Sequence, residues 1–315
     1  MSETRRARLR ALAKINLDLR VLHKRPDGYH EIRTVFQTIS LADLIDVEFT
    51  PARRTAVEIH GAFEIPDNLI AKAAKLVLDA IHVTASVQFQ LRKRIPMGAG
   101  LGGGSSDAAA ILLALPAMAG RALPLPRLME LAAEIGSDVP FFLLGGAAVA
   151  LGRGTELYPL PDRPPARGVL IAPAVHVSTA AAYGALTPQL TTESQQNKIV
   201  SFQSQAWGEF GEAPSAASVN DFETVVFEQY PQLARLKRQL AKLGAYPAMM
   251  TGSGSALFGL FRTRAQVSRA VKSFAEERVF PISLVGRTRY RNLWWRSLRP
   301  YIEEKIWPPL SPSAR

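Results

Sequence analysis

The stretch "PMGAGLGGGSSDAA", residues 96–109, is the most informative part of this 315-residue sequence. Five glycines fall between positions 98 and 104, interrupted by Ala99 and Leu101, and two serines and small helix-forming residues follow. Consecutive glycines let backbone N–H groups converge on an anion, and a helix beginning directly after them adds roughly half a positive charge at its N-terminus. The pattern favours a phosphate-binding loop over a glycine-rich turn that only permits close packing.

Two common phosphate motifs do not fit this loop. Gly98, Gly100 and Gly103 have GxGxxG spacing, but a dinucleotide site also needs an acidic residue ending a second strand about 20 positions on. Residues 118–128 offer a proline and a helix start instead. A P-loop needs a lysine before its serine, and Ser105 directly follows Gly104. The residues alone therefore leave the kind of phosphate open.

The segments around the loop predict strands and helices in mixed order. Residues 9–21 ("LRALAKINLDLRV") and 86–96 ("SVQFQLRKRIP") alternate as strands do. Asn68 is a candidate N-cap for a helix over 69–81, and Ser105 or Ser106 for a helix over 107–119. Strands followed by helices without regular βαβ alternation predict an α+β fold.

Further along, the pattern predicts a strand or a short helix at 32–41 and short strands at 42–50 and 56–61. The proline-rich stretch 160–168 is the best candidate for a linker, so we place a domain boundary there. We expect residues 187–218, which are polar and weakly periodic, to form a long mobile loop.

Composition bounds the class of protein. The sequence is 47% apolar and 21% charged, and none of its apolar runs approaches the roughly 20 residues that span a bilayer. The basic N-terminus runs into an alternating pattern rather than a signal peptide, so we expect a cytoplasmic protein with no membrane partner. The absence of cysteine excludes disulfides, thiolate metal sites and a cysteine nucleophile.

The net charge of +11 is concentrated at the ends of the chain: residues 1–10 carry +3 and residues 287–315 carry +5. The body of the protein is therefore only mildly basic. That distribution is compatible with a small anionic substrate and argues against a nucleic-acid groove.

Four polar residues are candidates for chemistry. Lys14 and Asn16 lie two apart on a predicted strand and so share a face, where they could line a site or simply be solvated. Asp138, in "GSDVPFF", could be a catalytic carboxylate or a turn or cap residue before Pro140. His30 follows "DGY" and could be a ligand or an ordinary surface histidine.

Taken together, the motifs resemble the GHMP kinases. "PMGAGLGGGSSDAA" resembles the phosphate-binding motif of that family, and "TGSGSALF" (251–258) resembles its C-terminal glycine motif. In addition, "AKINLDL" (13–19), "RPDGYHEIRTVFQTISLAD" (25–43), "DNLI" (67–70) and "GSDVPFFLLGGAA" (136–148) resemble the member of the family that acts on a cytidyl diphosphate of methylerythritol. The motifs occur in register over residues 9–285.

The resemblance implies two α+β domains. Residues 1–163 would form an ATP-binding domain of the ribosomal-protein-S5 domain-2-like type, residues 164–286 a ferredoxin-like domain, and residues 287–315 a basic, aromatic extension. The active site would lie between the two domains. The implied reaction is phosphorylation of a hydroxyl of the cytidyl diphosphate substrate by ATP with Mg²⁺.

The resemblance also assigns roles to residues. Asp138 matches the family's catalytic aspartate and Lys14 its active-site lysine. The implied substrate-binding residues are Asn16, Tyr29, His30, Thr179 and Tyr183. The implied ATP-binding residues are Asn68, Lys93, Pro96, Met97, Gly98, Ala99, Gly100, Leu101, Gly102, Gly103, Gly104, Ser105 and Ser106. The sequence shows no acidic cluster to hold a metal independently; a hydroxyl of Ser105 or Ser106 could contact Mg²⁺ carried by ATP.

The sequence departs from the family pattern at two places. Tyr183 stands where we associate a phenylalanine, which keeps the stacking face and adds a hydroxyl. Residues 287–315 extend beyond the matched region, and their arginines and tryptophans could bind an acidic surface or pack back on the domain. Two alternative functions stay open: another GHMP kinase, of the homoserine or mevalonate type, and a nucleic-acid-binding protein with an S5-like domain.

Overall fold

The computed structural model describes residues 3–61, 67–186, 192–206 and 218–309. Two β-sheets organise the protein. The first contains β1 (Arg5–Lys24), β2 (His30–Pro51), β3 (Ala56–Gly61), β4 (Ala85–Arg92), β5 (Ala147–Gly152) and β6 (Glu156–Pro159). The second contains β7 (Arg167–Ala172), β8 (Ala248–Met250), β9 (Leu257–Phe261) and β10 (Arg278–Ser283).

The helices pack on these sheets. Those between strands of the first sheet are α1 (Leu69–Ala80), α2 (Gly103–Ala119), α3 (Leu125–Ile135) and α4 (Val139–Leu144). Those after β7 are α5 (Thr179–Leu186), α6 (Thr192–Ala206), α7 (Phe222–Gln229), α8 (Pro231–Lys242), α9 (Arg264–Ser273) and α10 (Arg287–Ser297). In the described part of the chain, no helix is long and apolar enough to cross a membrane. The α+β expectation is confirmed.

The hairpin of β1 and β2 is the spine of the first sheet. The two strands pair antiparallel almost from end to end, and β2 also pairs with β4 along residues 44–51 and with β5 along residues 32–37. The separate short strands predicted at 32–41 and 42–50 are therefore one continuous strand. It stays continuous because a neighbouring strand takes up its hydrogen bonds along both stretches.

Strand β1 is buried on both faces from Ala11 to Leu22. Its apolar positions are buried as the alternation predicts, but Lys14 and Asn16 on the other face are also only 4% and 2% exposed. The solvated interpretation of this polar pair is wrong because the second half of the chain covers that face; Asn16, for example, bonds to Thr251. Strand alternation identifies two faces but not what covers the second one.

Two further expectations need correction. Neither Ser105 nor Ser106 caps α2, because the helix already begins at Gly103 after Gly102, whose left-handed φ of 67° turns the chain into it. Within the predicted mobile loop 187–218, residues Thr192–Ala206 form α6, and Phe202 is fully buried; residues 187–191 and 207–217 lie outside the described ranges. Tertiary packing of a few apolar residues fixes a helix whose local pattern is weak.

The predicted boundary near residue 163 falls between the two sheets, in the irregular stretch between β6 and β7. The assignment of residues 1–163 and 164–286 to separate domains stays a prediction. The C-terminal extension packs back on the protein, as one of its two interpretations expects: Tyr290, Trp294 and Leu298 are buried in the core of the first sheet and its helices.

Candidate active site

Lys14 and Asp138 form an ion pair where the two halves of the protein meet. Lys14 lies on β1, and its Nζ is 3.5 Å from Oδ2 of Asp138, the residue immediately before α4. The Asp138 side chain is 34% exposed, whereas that of Lys14 is 5% exposed. Asp138 makes no side-chain capping bond to α4, so the cap interpretation is not supported. The carboxylate is thus accessible from outside, with a fixed cation behind it.

Asn16 connects this pair to the C-terminal glycine motif. Its Oδ1 accepts hydrogen bonds from Lys14 Nζ at 2.9 Å, from Thr251 Oγ1 at 3.1 Å and from the Gly252 backbone at 3.0 Å. Its Nδ2 donates to Thr34 Oγ1 at 2.8 Å. Asn16 therefore orients the lysine and joins two parts of the chain; its expected contact with substrate stays a prediction.

The glycine loop lies between β1 and the C-terminal glycine motif. Gly98, Gly100 and Gly102 all have positive φ, a backbone conformation that side-chain-bearing residues rarely adopt. A Cβ at Gly100 would lie 2.3 Å from the carbonyl oxygen of Thr251, so only glycine allows this approach. The backbone N–H of Lys14 donates to the carbonyl of Leu101 at 3.0 Å. The loop is thereby fixed beside the Lys14–Asp138 pair.

The two serines at the start of α2 have different environments. Ser106 is buried, and its hydroxyl donates to the Leu12 carbonyl at 2.7 Å. Ser105 is half-buried, and Gly102 provides no side-chain cap for the helix. Since Gly102 has no side chain, it cannot cap the first-turn N–H groups of α2. These N–H groups are therefore available to bind an anion at the helix N-terminus.

Lys93 is held beneath the glycine loop by two buried carboxylates. Its Nζ lies 2.5 Å from Asp43 Oδ2 and 2.8 Å from Asp107 Oδ2. Although burial lowers the pKa of Lys93, the charges of Asp107 and Asp43 raise it more, so the net shift is upward. Asp43 also accepts the backbone N–H groups of Arg94 and Ile95, directly ahead of the loop. This cluster anchors the loop; contact of Lys93 with adenosine stays a prediction.

Two of the remaining nucleotide candidates lie at the rim of the loop. The Asn68 side chain accepts the backbone N–H of Ile70 at 3.0 Å, which makes Asn68 the N-cap of α1, as the sequence predicts. Met97 is 60% exposed, whereas Pro96 and Ala99 beside it are buried.

The residues expected to bind the base lie at the other end of the site. The rings of His30 and Tyr183 stack with centroids 4.5 Å apart, which brings β2 and α5 together. Tyr29 is 52% exposed, and the Arg153 guanidinium lies 4.6 Å from its ring centroid. Thr179 hydrogen-bonds Ser253 of the C-terminal glycine motif at 2.8 Å.

Electrostatics connect this end of the site to the ion pair. Burial and the negative charge of Asp138 raise the pKa of Tyr183 to about 12, so its hydroxyl stays protonated at neutral pH. Burial, with the positive charges of Lys24 and His23, lowers the pKa of His30. At neutral pH the imidazole is uncharged, a form that can both donate and accept a hydrogen bond.

The sequence did not single out Thr251, Ser253 or Phe142 as residues of the site. Thr251 and Ser253 lie within the "TGSG" motif, and that glycine turn after a strand was the available signal. Phe142 had no such signal: its ring lies 2.9 Å from where a Cβ of Gly102 would be, a contact between residues 40 positions apart.

Comparison with known proteins gives consistent matches. The model of the GHMP kinase N-terminal domain matches residues 68–146, and that of the GHMP kinase C-terminal domain matches residues 199–278. The 4-diphosphocytidyl-2-C-methyl-D-erythritol kinase of Solibacter usitatus is 58% identical over 98% of both chains. The enzyme of the same name from a Geobacillus species is 38% identical over 88% of this chain and 96% of its own.

Solved structures agree with these matches. A crystal structure of 4-(cytidine 5'-diphospho)-2C-methyl-D-erythritol kinase matches with a TM-score of 0.74 and 37% identity over 89% of this chain and 99% of its own. Homoserine kinase from Cytophaga hutchinsonii has a TM-score of 0.65 at 17% identity, over 90% and 95% of the two chains, and so shares the fold.

Proposed function

This chain belongs to the GHMP kinase family, and we propose that it transfers the γ-phosphate of ATP to the 2-hydroxyl of 4-diphosphocytidyl-2-C-methyl-D-erythritol, a step of the non-mevalonate route to isoprenoids. The observation that carries the proposal is the Lys14–Asp138 pair: the Lys14 side chain lies against Gly102 of the glycine loop, and the charge of Asp138 acts on Tyr183 of the His30–Tyr183 stack. A nucleotide at the loop and a base at the stack would bring the reacting groups to Asp138.

Asp138 is the group that accepts the proton of the substrate hydroxyl. A hydroxyl becomes a better nucleophile as it loses its proton, and a carboxylate within hydrogen-bond reach can take it. Lys14 forms an ion pair with Asp138 and supplies positive charge next to the transferred phosphoryl group. Lys14 Nζ donates a hydrogen bond to Asn16 and lies 5.0 Å from the centroid of the Phe36 ring. These contacts fix the positive charge of Lys14 before substrate binds.

The glycine loop and the start of α2 bind the triphosphate. Left-handed glycines let backbone N–H groups converge on an anion, and the α2 dipole adds positive potential. The bound ATP supplies the phosphoryl group. Ser105 is the serine with an accessible hydroxyl, because Ser106 is buried against Leu12, and so Ser105 is the residue to contact Mg²⁺ carried on the phosphates. Within the described residues no cluster of acidic and histidine side chains could hold a metal by itself.

Substrate choice resides at the opposite end of the site. Tyr29, His30 and Tyr183 offer ring faces for a base, and the neutral His30 can hydrogen-bond the edge of cytosine. Thr179 begins α5, the helix that carries Tyr183, and its hydroxyl hydrogen-bonds Ser253 of the C-terminal glycine motif; it also contacts the substrate. Homoserine and mevalonate have no base to occupy these residues.

A comparison of acceptors tests the proposed function. Purified protein with ATP and Mg²⁺ is given the cytidyl diphosphate, homoserine or mevalonate in parallel, and ADP release is measured against a reaction without acceptor as a blank. We expect transfer to the cytidyl compound alone. Transfer to homoserine or mevalonate instead of the cytidyl compound would show that the proposed substrate is wrong. No transfer to any of the three would contradict the proposed kinase activity.

A further inference from the structure

The C-terminal segment 287–309 packs against the back of α4, the helix that follows Asp138. It begins with α10 and lies beyond residue 278, where the match to the family model ends. Tyr290 is 1% exposed and Trp294 is 3% exposed, and both belong to the same buried cluster as Phe141 and Phe142 of α4. The segment is therefore an integral part of the core around the active site.

Two hydrogen bonds from this segment end on carbonyl groups of α4. The Tyr290 hydroxyl donates to the Phe142 carbonyl at 2.5 Å, and the Trp307 indole N–H donates to the Leu143 carbonyl at 3.0 Å. The last carbonyls of any helix lack partners within the helix, and α4 has only six residues. Residues far along the chain thus provide the partners that α4 cannot provide itself.

The backbone after α4 is shaped to receive the segment. A Cβ at Gly145 would lie 2.3 Å from the Tyr290 ring, and a Cβ at Gly146 would lie 2.8 Å from the Arg287 backbone. The Arg287 guanidinium donates to the carbonyls of Ala147 at 2.5 Å and Leu160 at 2.9 Å. Because both glycines also have positive φ, this approach requires glycine at each position.

The position of α4 matters because it sets the position of Asp138 and supports the glycine loop. A helix of six residues is only about 9 Å long and cannot fix its own place. Asp138 makes no side-chain bond to α4, so its carboxylate is located by the helix backbone and by Lys14. At the other end, the Phe142 ring packs under Gly102. A small rotation of α4 would therefore move both the base and the loop.

We propose that residues 287–309 form a C-terminal brace that holds α4, and that Tyr290 and Trp307 are positioning residues for phosphoryl transfer. The inference rests on the proposed function, since Asp138 is the group being positioned. The brace touches neither substrate in this account, so its loss should lower kcat and leave the KM for the cytidyl substrate nearly unchanged. A misplacement of about 1 Å can reduce turnover by roughly two orders of magnitude.

Four conservative variants test the brace. Tyr290→Phe and Trp307→Phe each remove one hydrogen bond to α4 and keep an aromatic ring. Their matched controls are Tyr301→Phe, whose hydroxyl bonds to the backbone of Arg6 at the start of β1, and Tyr246→Phe, an exposed tyrosine between α8 and β8. Each variant is assayed for kcat, for both KM values, for thermal stability, and for amide hydrogen exchange over residues 138–146.

We expect kcat to fall about tenfold in Tyr290→Phe and Trp307→Phe, with faster exchange over 138–146, and to stay near wild type in the two controls. Unchanged kcat and exchange in folded Tyr290→Phe and Trp307→Phe would overturn the brace, as would an equal loss of kcat in the controls. A wild-type protein without kinase activity would refute the proposed function instead, and the exchange measurement would still decide whether the segment holds α4.

Discussion

Gly100→Ala is the substitution that most directly probes the contact between the two glycine motifs. The new Cβ would lie 2.3 Å from the Thr251 carbonyl oxygen, whereas ordinary contacts begin near 3.4 Å, so the two backbones must separate by about 1 Å. The φ of +76° adds strain of about 1–2 kcal/mol for a residue with a side chain.

The separation acts on the catalytic residues through Asn16. Thr251 and Gly252 both donate to Asn16 Oδ1, which also accepts from Lys14. A displacement of about 1 Å at this junction is large enough to reduce turnover roughly a hundredfold. We therefore expect kcat/KM for ATP to fall by about two orders of magnitude, with a stability loss of about 1–3 kcal/mol.

The assay is steady-state ADP release with saturating cytidyl substrate, together with calorimetric titration of an ATP analogue. Gly184→Ala is the matched control, because Gly184 lies in α5 and has an unstrained φ, and because, among the described residues beyond its own helix turn, no atom lies within 4 Å of the new Cβ. The reasoning is refuted if the Gly100→Ala protein is folded and its kcat/KM stays within a factor of about three of wild type. Such a loss would be far smaller than the expected loss of about two orders of magnitude.

Substitutions at three other positions test separate parts of the site. Asp138→Asn keeps the shape of the side chain but cannot accept a proton, so kcat should fall by a factor of about 10²–10⁴. Calorimetry should show unchanged ATP binding, and normal turnover would contradict the role of Asp138 as the base. Because stacking depends on the ring, Tyr183→Phe should leave the KM for the cytidyl substrate within about threefold of wild type, and Tyr183→Ala should raise it at least tenfold. Equal KM values for the two variants in steady-state kinetics would contradict a stacking role. Burial raises the pKa of Asp107 to about 7, above its ordinary 3.8, so the folded protein favours the protonated carboxyl. The contribution of Asp107 to the free energy of unfolding is therefore fully present below pH 3.8 and is lost as the pH rises through about 7. Denaturant unfolding between pH 4 and 8 should show this decrease in the free energy of unfolding for the wild type but not for Asp107→Asn. Identical pH dependence in the two proteins would contradict the assignment to Asp107.

Local patterns were sufficient for much of the fold. The alternation over residues 9–21 predicts β1, and the Asn68 cap predicts α1. Each of these signals lies within a short stretch of consecutive residues. The glycine loop belongs to the same group, because its anion-binding capacity follows from its own backbone.

Long-range contacts explain what the patterns could not predict. Lys14 and Asn16 are buried because Thr251, more than 230 positions away, covers their face of β1. Helix α6 depends on packing of Phe202 rather than on its own periodicity. The link from Tyr290 to Phe142 joins a tail outside the matched motifs to the active-site helix. Pairwise contacts of this kind have no signature in the composition or spacing of either segment.

The central claim is that Asp138 faces the reacting hydroxyl between the two substrates. The most direct test is a crystal structure with the cytidyl diphosphate substrate and a non-hydrolysable ATP analogue bound together. The account predicts the 2-hydroxyl oxygen within about 3 Å of an Asp138 carboxylate oxygen, with the γ-phosphate on the glycine loop and the cytosine against His30 or Tyr183. A bound hydroxyl turned away from Asp138, or a base placed elsewhere, would contradict it.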